Sequence, residues 1–120
     1  MSLSPYQEAL NWINQNPGTG SAGSMAKLIL SFWNTECAFT FRECVSNLDG
    51  NLTQLAVRMA AHFGERGEDQ ELTDIGHKVY ALYPRLWELG QAADNAKREL
   101  RRKWDAEDER ERQARYPDEG

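Results

Sequence analysis

The stretch Ser24-Met25-Ala26-Lys27-Leu28-Ile29-Leu30-Ser31-Phe32-Trp33-Asn34 decides the fold class, because Met25, Leu28, Ile29, Phe32 and Trp33 recur at three- and four-residue intervals. That spacing predicts a helix. Leu30 is apolar too and Lys27 is the only charge, so the helix is apolar on most of its circumference and belongs at the centre of a fold. Ala26 and Ser31 leave room for neighbours to approach. Such a helix needs other elements packed around it, and the remainder of the chain supplies helical patterns.

Upstream, Ser4 is positioned to cap a helix over about 5–15, with Pro5 at its first position and Gln7 completing a capping box. Tyr6, Ala9, Leu10 and Ile13 form its apolar face, and Asn16-Pro17-Gly18 stops it. Gly18 to Ser24 reads as a flexible link, with Ser24 as the cap of the central helix.

Downstream, Cys37, Phe39 and Phe41 alternate as a short strand would. No second alternating run exists to pair with it, so Thr35 to Phe41 is expected to be an irregular link. Thr40 and Glu43 then make a capping box for a short helix over about 41–48. Asp49 caps a helix whose stripe is Leu52, Leu55, Ala56, Met59 and Phe63, ended by Gly64 and Gly67. A fifth helix starts near Glu68 and turns Leu72, Ile75, Val79 and Leu82 inward. Pro84 divides it from the C-terminal part of the chain, because proline inside a helix costs about 3 kcal/mol.

Beyond Pro84 apolar residues continue at Leu86, Leu89, Ala93, Ala96 and Leu100, then Trp104. Roughly two heptads are present, short of the three or four of an autonomous coiled coil. The expected class is therefore all-α: a compact bundle of five to six helices with a long charged C-terminal helix. Residues 4–90 form the helical core domain. Residues 91–116 form the charged helix, its first half packed on the core and its second half projecting, with Trp104 at the edge of the fold.

The 120 residues carry 19 acidic and 14 basic side chains, a net charge of -5, which disfavours general attraction to nucleic acid or anionic membranes. Apolar runs such as Leu28 to Leu30 fall far below the about 20 residues of a membrane span. No secretion leader is visible, so a cytoplasmic location and no membrane partner are expected. Cys37 and Cys44 are too few for a disulfide framework. On one helix their spacing would hold the Cα atoms roughly 10 Å apart, so free thiols are expected.

Motifs with chemical potential do not find their context. Gly18-Thr19-Gly20-Ser21-Ala22-Gly23 has the glycine spacing of a dinucleotide loop, but it follows an amphipathic helix, not a buried strand. His62, His77, Cys37 and Cys44 lack the close spacing that presents two ligands to one zinc ion. Asp74, His77 and Tyr80 share a helical face as an acid, an imidazole and a phenol, with no nucleophile or oxyanion site beside them. Asn51-Leu52-Thr53 matches a glycosylation sequon, relevant only in a secretory compartment. Trp12, Trp33 and Trp87 read as core residues, because bases are not interleaved with them. No catalytic residue, no metal ligand and no cofactor are expected.

The segment Ala96 to Arg115 changes charge sign at Trp104, with basic residues before it and acidic residues after it. Glu99 with Lys103, Asp108 with Arg112 and Glu111 with Arg115 are acid-first i, i+4 pairs, each worth about 0.2–0.5 kcal/mol. Like-charge neighbours Arg98 with Arg102, Asp105 with Glu109 and Glu107 with Glu111 oppose them, so part of this charge is available to a partner. Leu100, Arg101, Trp104, Asp105, Glu107 and Glu111 are the candidate protein-contact residues. A second copy turned about Trp104 would set Lys97 near Glu111, Arg101 near Glu107 and Lys103 near Asp105, while opposing Arg98 with Arg110 and Leu100 with Asp108. The alternative is a regulatory nucleic-acid-binding protein that contacts phosphates through Lys97, Arg98, Arg101, Arg102 and Lys103.

The run GSMAKLILSFWN, followed by FTFRECVSNLD, resembles small helical proteins encoded in bacterial integrative elements and phage-derived regions. The likeness covers about a quarter of the chain: a glycine/serine entry to an apolar helix, an aromatic-flanked turn and a Leu-Asp helix junction. It implies a bacterial accessory protein of mobile genetic elements and transfers no functional residues. The expectation is a non-enzymatic interaction protein whose partner is another protein or a second copy, through the C-terminal helix.

Overall fold

Side-chain oxygens set where five of the six helices begin in the computed structural model, which describes residues 3–116. Ser4 Oγ accepts from the Gln7 amide at 3.1 Å to start α1 (Pro5–Gln15), and Thr19 Oγ1 accepts from the Ala22 amide at 3.2 Å to start α2 (Gly20–Trp33). Thr40 and Glu43 cap reciprocally at the head of α3 (Phe41–Val45). Asp49 and Asp69 accept from Leu52 and Leu72 at 2.8 and 2.9 Å to start α4 (Gly50–Arg66) and α5 (Gln70–Leu82). Each such cap is worth about 1 kcal/mol. Only α6 (Pro84–Arg115) starts without one, and there Pro84 presets the first turn.

The architecture is all-α, with no strand among the described residues; Thr35 to Thr40 is an irregular link and α3 stops at Val45, short of the expected end near residue 48. The start of α2 needs a larger correction. Gly20 to Gly23 are helical rather than a flexible link, and Ser24 lies buried inside the helix with its hydroxyl donating to Asn47 Oδ1. Thr19 is the cap because the preceding turn is tied down. Trp12 Nε1–H donates to Ser21 Oγ at 3.1 Å, and the Thr19 hydroxyl donates to the Asn16 carbonyl at 2.7 Å.

α2 occupies the centre and contacts each of the other five helices. Met25, Leu28, Ile29 and Leu30 are fully buried on its several sides, which accounts for its unbroken apolar character. Burial of each such side chain contributes about 1.5–3 kcal/mol. Tyr6, Leu10 and Ile13 from α1, Leu55 and Met59 from α4, and Leu72, Ile75 and Val79 from α5 complete the core. Trp12, Trp33 and Trp87 pack at its margin as expected of core aromatics. Trp33 lies with ring centroids 4.8 Å from His77 and 5.3 Å from Trp87.

Two close approaches need glycine. A Cβ on Gly76 would sit 2.5 Å from the Trp33 ring, so the absent side chain is what lets α2 and α5 meet. A Cβ on Gly90 would overlap Cys37 Sγ, where the link between α2 and α3 crosses α6. That crossing is fixed by the Ala38 amide, which donates to the Gly90 carbonyl at 3.1 Å. Gly90 is the only buried residue of α6.

Candidate interaction surface on the C-terminal helix

α6 has 32 residues and so runs about 48 Å, most of the molecule's 65 Å long axis. Its contact with the body is confined to its N-terminal half. Leu86 and Trp87 pack against the core, Gly90 receives the Cys37–Ala38 crossing, and Arg98 bridges outward from Asp94 (2.8 Å) to Glu36 (3.2 Å). Every described residue from Asn95 onward is exposed.

The expected edge at Trp104 is therefore displaced toward the N-terminus. Ala93, Ala96 and Leu100, expected to dock, lie on the surface. Helical geometry gives the reason. At about 100° per residue, Leu89, Ala93, Ala96, Leu100 and Trp104 fall within an arc of about 80°, and the docked set Leu86, Trp87, Gly90 and Asp94 is centred about 100° away. The apolar rhythm read from the sequence is thus two faces. One is short and closed by the body; the other is long and open, with Leu89 57%, Leu100 44% and Trp104 52% exposed.

The remaining candidate contact residues, Arg101, Asp105, Glu107 and Glu111, are all exposed on α6, with Glu107 and Glu111 continuing the open face by about two turns. Glu111 is held by Arg115 at 3.0 Å, the expected i, i+4 pair. The other two expected pairs are replaced by i, i+3 contacts: Arg112 binds Glu109 at 2.7 Å instead of Asp108, and Arg102 binds Glu99 at 3.5 Å in place of Lys103. Both spacings bring side chains together on a helix, and the guanidinium fork reaches the nearer carboxylate. The Arg112 pairing lowers the Glu109 pKa and raises that of Arg112.

The basic segment does not form a row. Lys97, Arg98, Arg101 and Arg102 spread over about 140° of the helix and Lys103 projects from the opposite side. Arg98 and Arg102 already hold carboxylates. The segment therefore offers Lys97, Arg101 and Lys103 to a phosphate partner, pointing in diverging directions.

The other chemical candidates disperse. Asp74 accepts from Gln70 at 2.8 Å, His77 packs against Trp33 with the ring planes tilted by 58°, and Tyr80 meets Trp87 edge-on at 5.3 Å, so the trio shares no hydrogen bond. His62 lies 3.8 Å from Asp69 and edge-on to Tyr6 at 5.1 Å. Among the described residues no group of three or more His, Cys, Asp and Glu side chains converges as a metal site. Cys37 and Cys44, on the link and on α3, are buried free thiols whose pKa burial pushes up to about 11. No helix among the described residues is long and apolar enough to cross a membrane. No protein-family model matches the chain, and comparison with curated proteins and with solved structures returned no match.

Proposed function

We propose that this chain is a non-enzymatic interaction protein in which the bundle is the scaffold and the open face of α6 is the contact surface. The observation that carries this reading is the second apolar stripe, Leu89, Ala93, Ala96, Leu100 and Trp104, exposed on a helix the body has already anchored elsewhere. Large apolar side chains aligned on one exposed arc are what a helix presents to a partner helix or groove. The resemblance of the α2–α3 region supplies the setting, a bacterial accessory protein of a mobile genetic element acting in the cytoplasm.

The test is site-specific photo-crosslinking in host cells. A photoreactive side chain at position 96 or 100 should yield protein adducts, and one at position 95 or 102, on the far side of the helix, should not. Adducts absent at 96 and 100, or equal at all four positions, would refute the reading. Nuclease-sensitive adducts at 102 alone would favour phosphate contact through the basic segment, with affinity falling steeply as salt rises.

A further inference from the structure

We infer that the occupant of the open face is a second copy of the chain, packed antiparallel along α6 about a two-fold axis between Asp94 and Asn95. This rests on reading the stripe as a contact surface, and two independent features of the stripe select the partner. The first is its spacing. Turned about that axis, Leu100 of each copy meets Leu89 of the other and Ala93 meets Ala96, so both ends of the contact are leucine pairs and the centre is alanine. Small residues at the crossing let two backbones approach to the about 8 Å end of the helix-packing range.

The second feature is charge. A parallel copy in register would oppose Lys97, Arg98, Arg101, Arg102 and Lys103 with themselves and the acidic block with itself. The antiparallel arrangement lays that basic segment over residues 86–92, which contain Glu88 and no base. An axis at Trp104 pairs more charges, but it buries Leu100 against Asp108 and gives Leu89 and Ala93 no apolar partner. Removing an apolar pair to desolvate a carboxylate is the worse arrangement, so the axis moves down the helix to where the leucines match.

The arrangement predicts a mass and a distance. In sedimentation across a concentration series, the full chain should reach twice the single-chain mass. Ala96→Glu, on the stripe, should lose the dimer while keeping its helical signal, and Asn95→Glu, on the far side, should keep it. A spin label on Asp108→Cys should report an inter-copy separation of roughly 40 Å, from 13.5 residues on each side of the axis at about 1.5 Å each. Cys37 and Cys44 are buried and stay unlabelled under native conditions. A dimer with labels closer than about 25 Å would mean a parallel pair or an axis at Trp104, and would overturn the arrangement. Single-chain mass throughout, with cross-links from position 96 to other proteins, would overturn the second copy and leave the contact-surface reading standing. Single-chain mass with no cross-links would remove both.

Discussion

Replacing Gly90 by alanine sets two effects against each other, and the crossing at that residue decides which wins. In an exposed helix, glycine to alanine stabilises by about 0.8–1 kcal/mol through propensity alone. At Gly90 the added methyl would overlap Cys37 Sγ and lie 3.1 Å from the Phe39 ring and 3.2 Å from Cys37 Cα. The thiol could turn aside, but the Cα is held by the 3.1 Å bond from the Ala38 amide to the Gly90 carbonyl. Overpacking costs about 1–3 kcal/mol, and contact with fixed backbone places Gly90→Ala near the upper end. Subtracting the propensity gain leaves a net loss of about 2 kcal/mol, or roughly 6–12 °C in Tm for a domain of this size. Urea denaturation followed by circular dichroism measures it. Gly64→Ala is the control, since Gly64 is exposed in α4 with nothing within 4 Å of a built Cβ, and it should stabilise. Cys37→Ala combined with Gly90→Ala should recover about 1 kcal/mol relative to additivity. If Gly90→Ala stabilised as Gly64→Ala does, the crossing would not anchor α6 and the assignment of its two faces would fail.

Alkaline pH should weaken the fold. Burial holds Cys37 and Cys44 near 11 against 9.0, and Tyr6 near 12 against 10.0, so the folded state favours their protonated forms. That contribution is full below pH 9 and is lost as pH rises through about 11 to 12, so urea midpoints should fall over that window; a flat profile would contradict the burial of these groups. Thr19→Ala should cost about 1 kcal/mol as loss of the α2 cap, and no change in the urea midpoint would contradict Thr19 as that cap. At concentrations where the chain is single, ending it after Glu99 should change the stability of the body by no more than about 0.5 kcal/mol, since the described residues removed all lie on the surface; a large loss would mean the distal helix is part of the fold.

Most of the fold was legible because its signals are local. Ser4, Thr40 and Asp49 cap as their positions announce, Pro84 divides α5 from α6, and the apolar wrap of α2 places it at the centre. The start of α2 was not legible, because glycine and serine composition outweighed Thr19, and the bond from Trp12 to Ser21 that holds the turn is tertiary. The division of α6 into two faces was hidden for a related reason. A periodicity count rewards Leu89, Ala93 and Leu100 for being apolar and gives nothing to Gly90, whose missing side chain lets the link dock. The expected contact residues Leu100 and Trp104 fall on the open face, whereas Arg101 and Asp105 point away from it. Leu89, Ala93 and Ala96 join the candidate surface only once the docked face has been located.

Amide hydrogen exchange on α6, compared between dilute and concentrated protein, tests most directly whether the open face is covered by a second copy. Peptides spanning 89–104 should exchange more slowly as concentration rises, while 108–115 exchanges fast throughout. Exchange over 89–104 that is fast and independent of concentration would contradict the covered face.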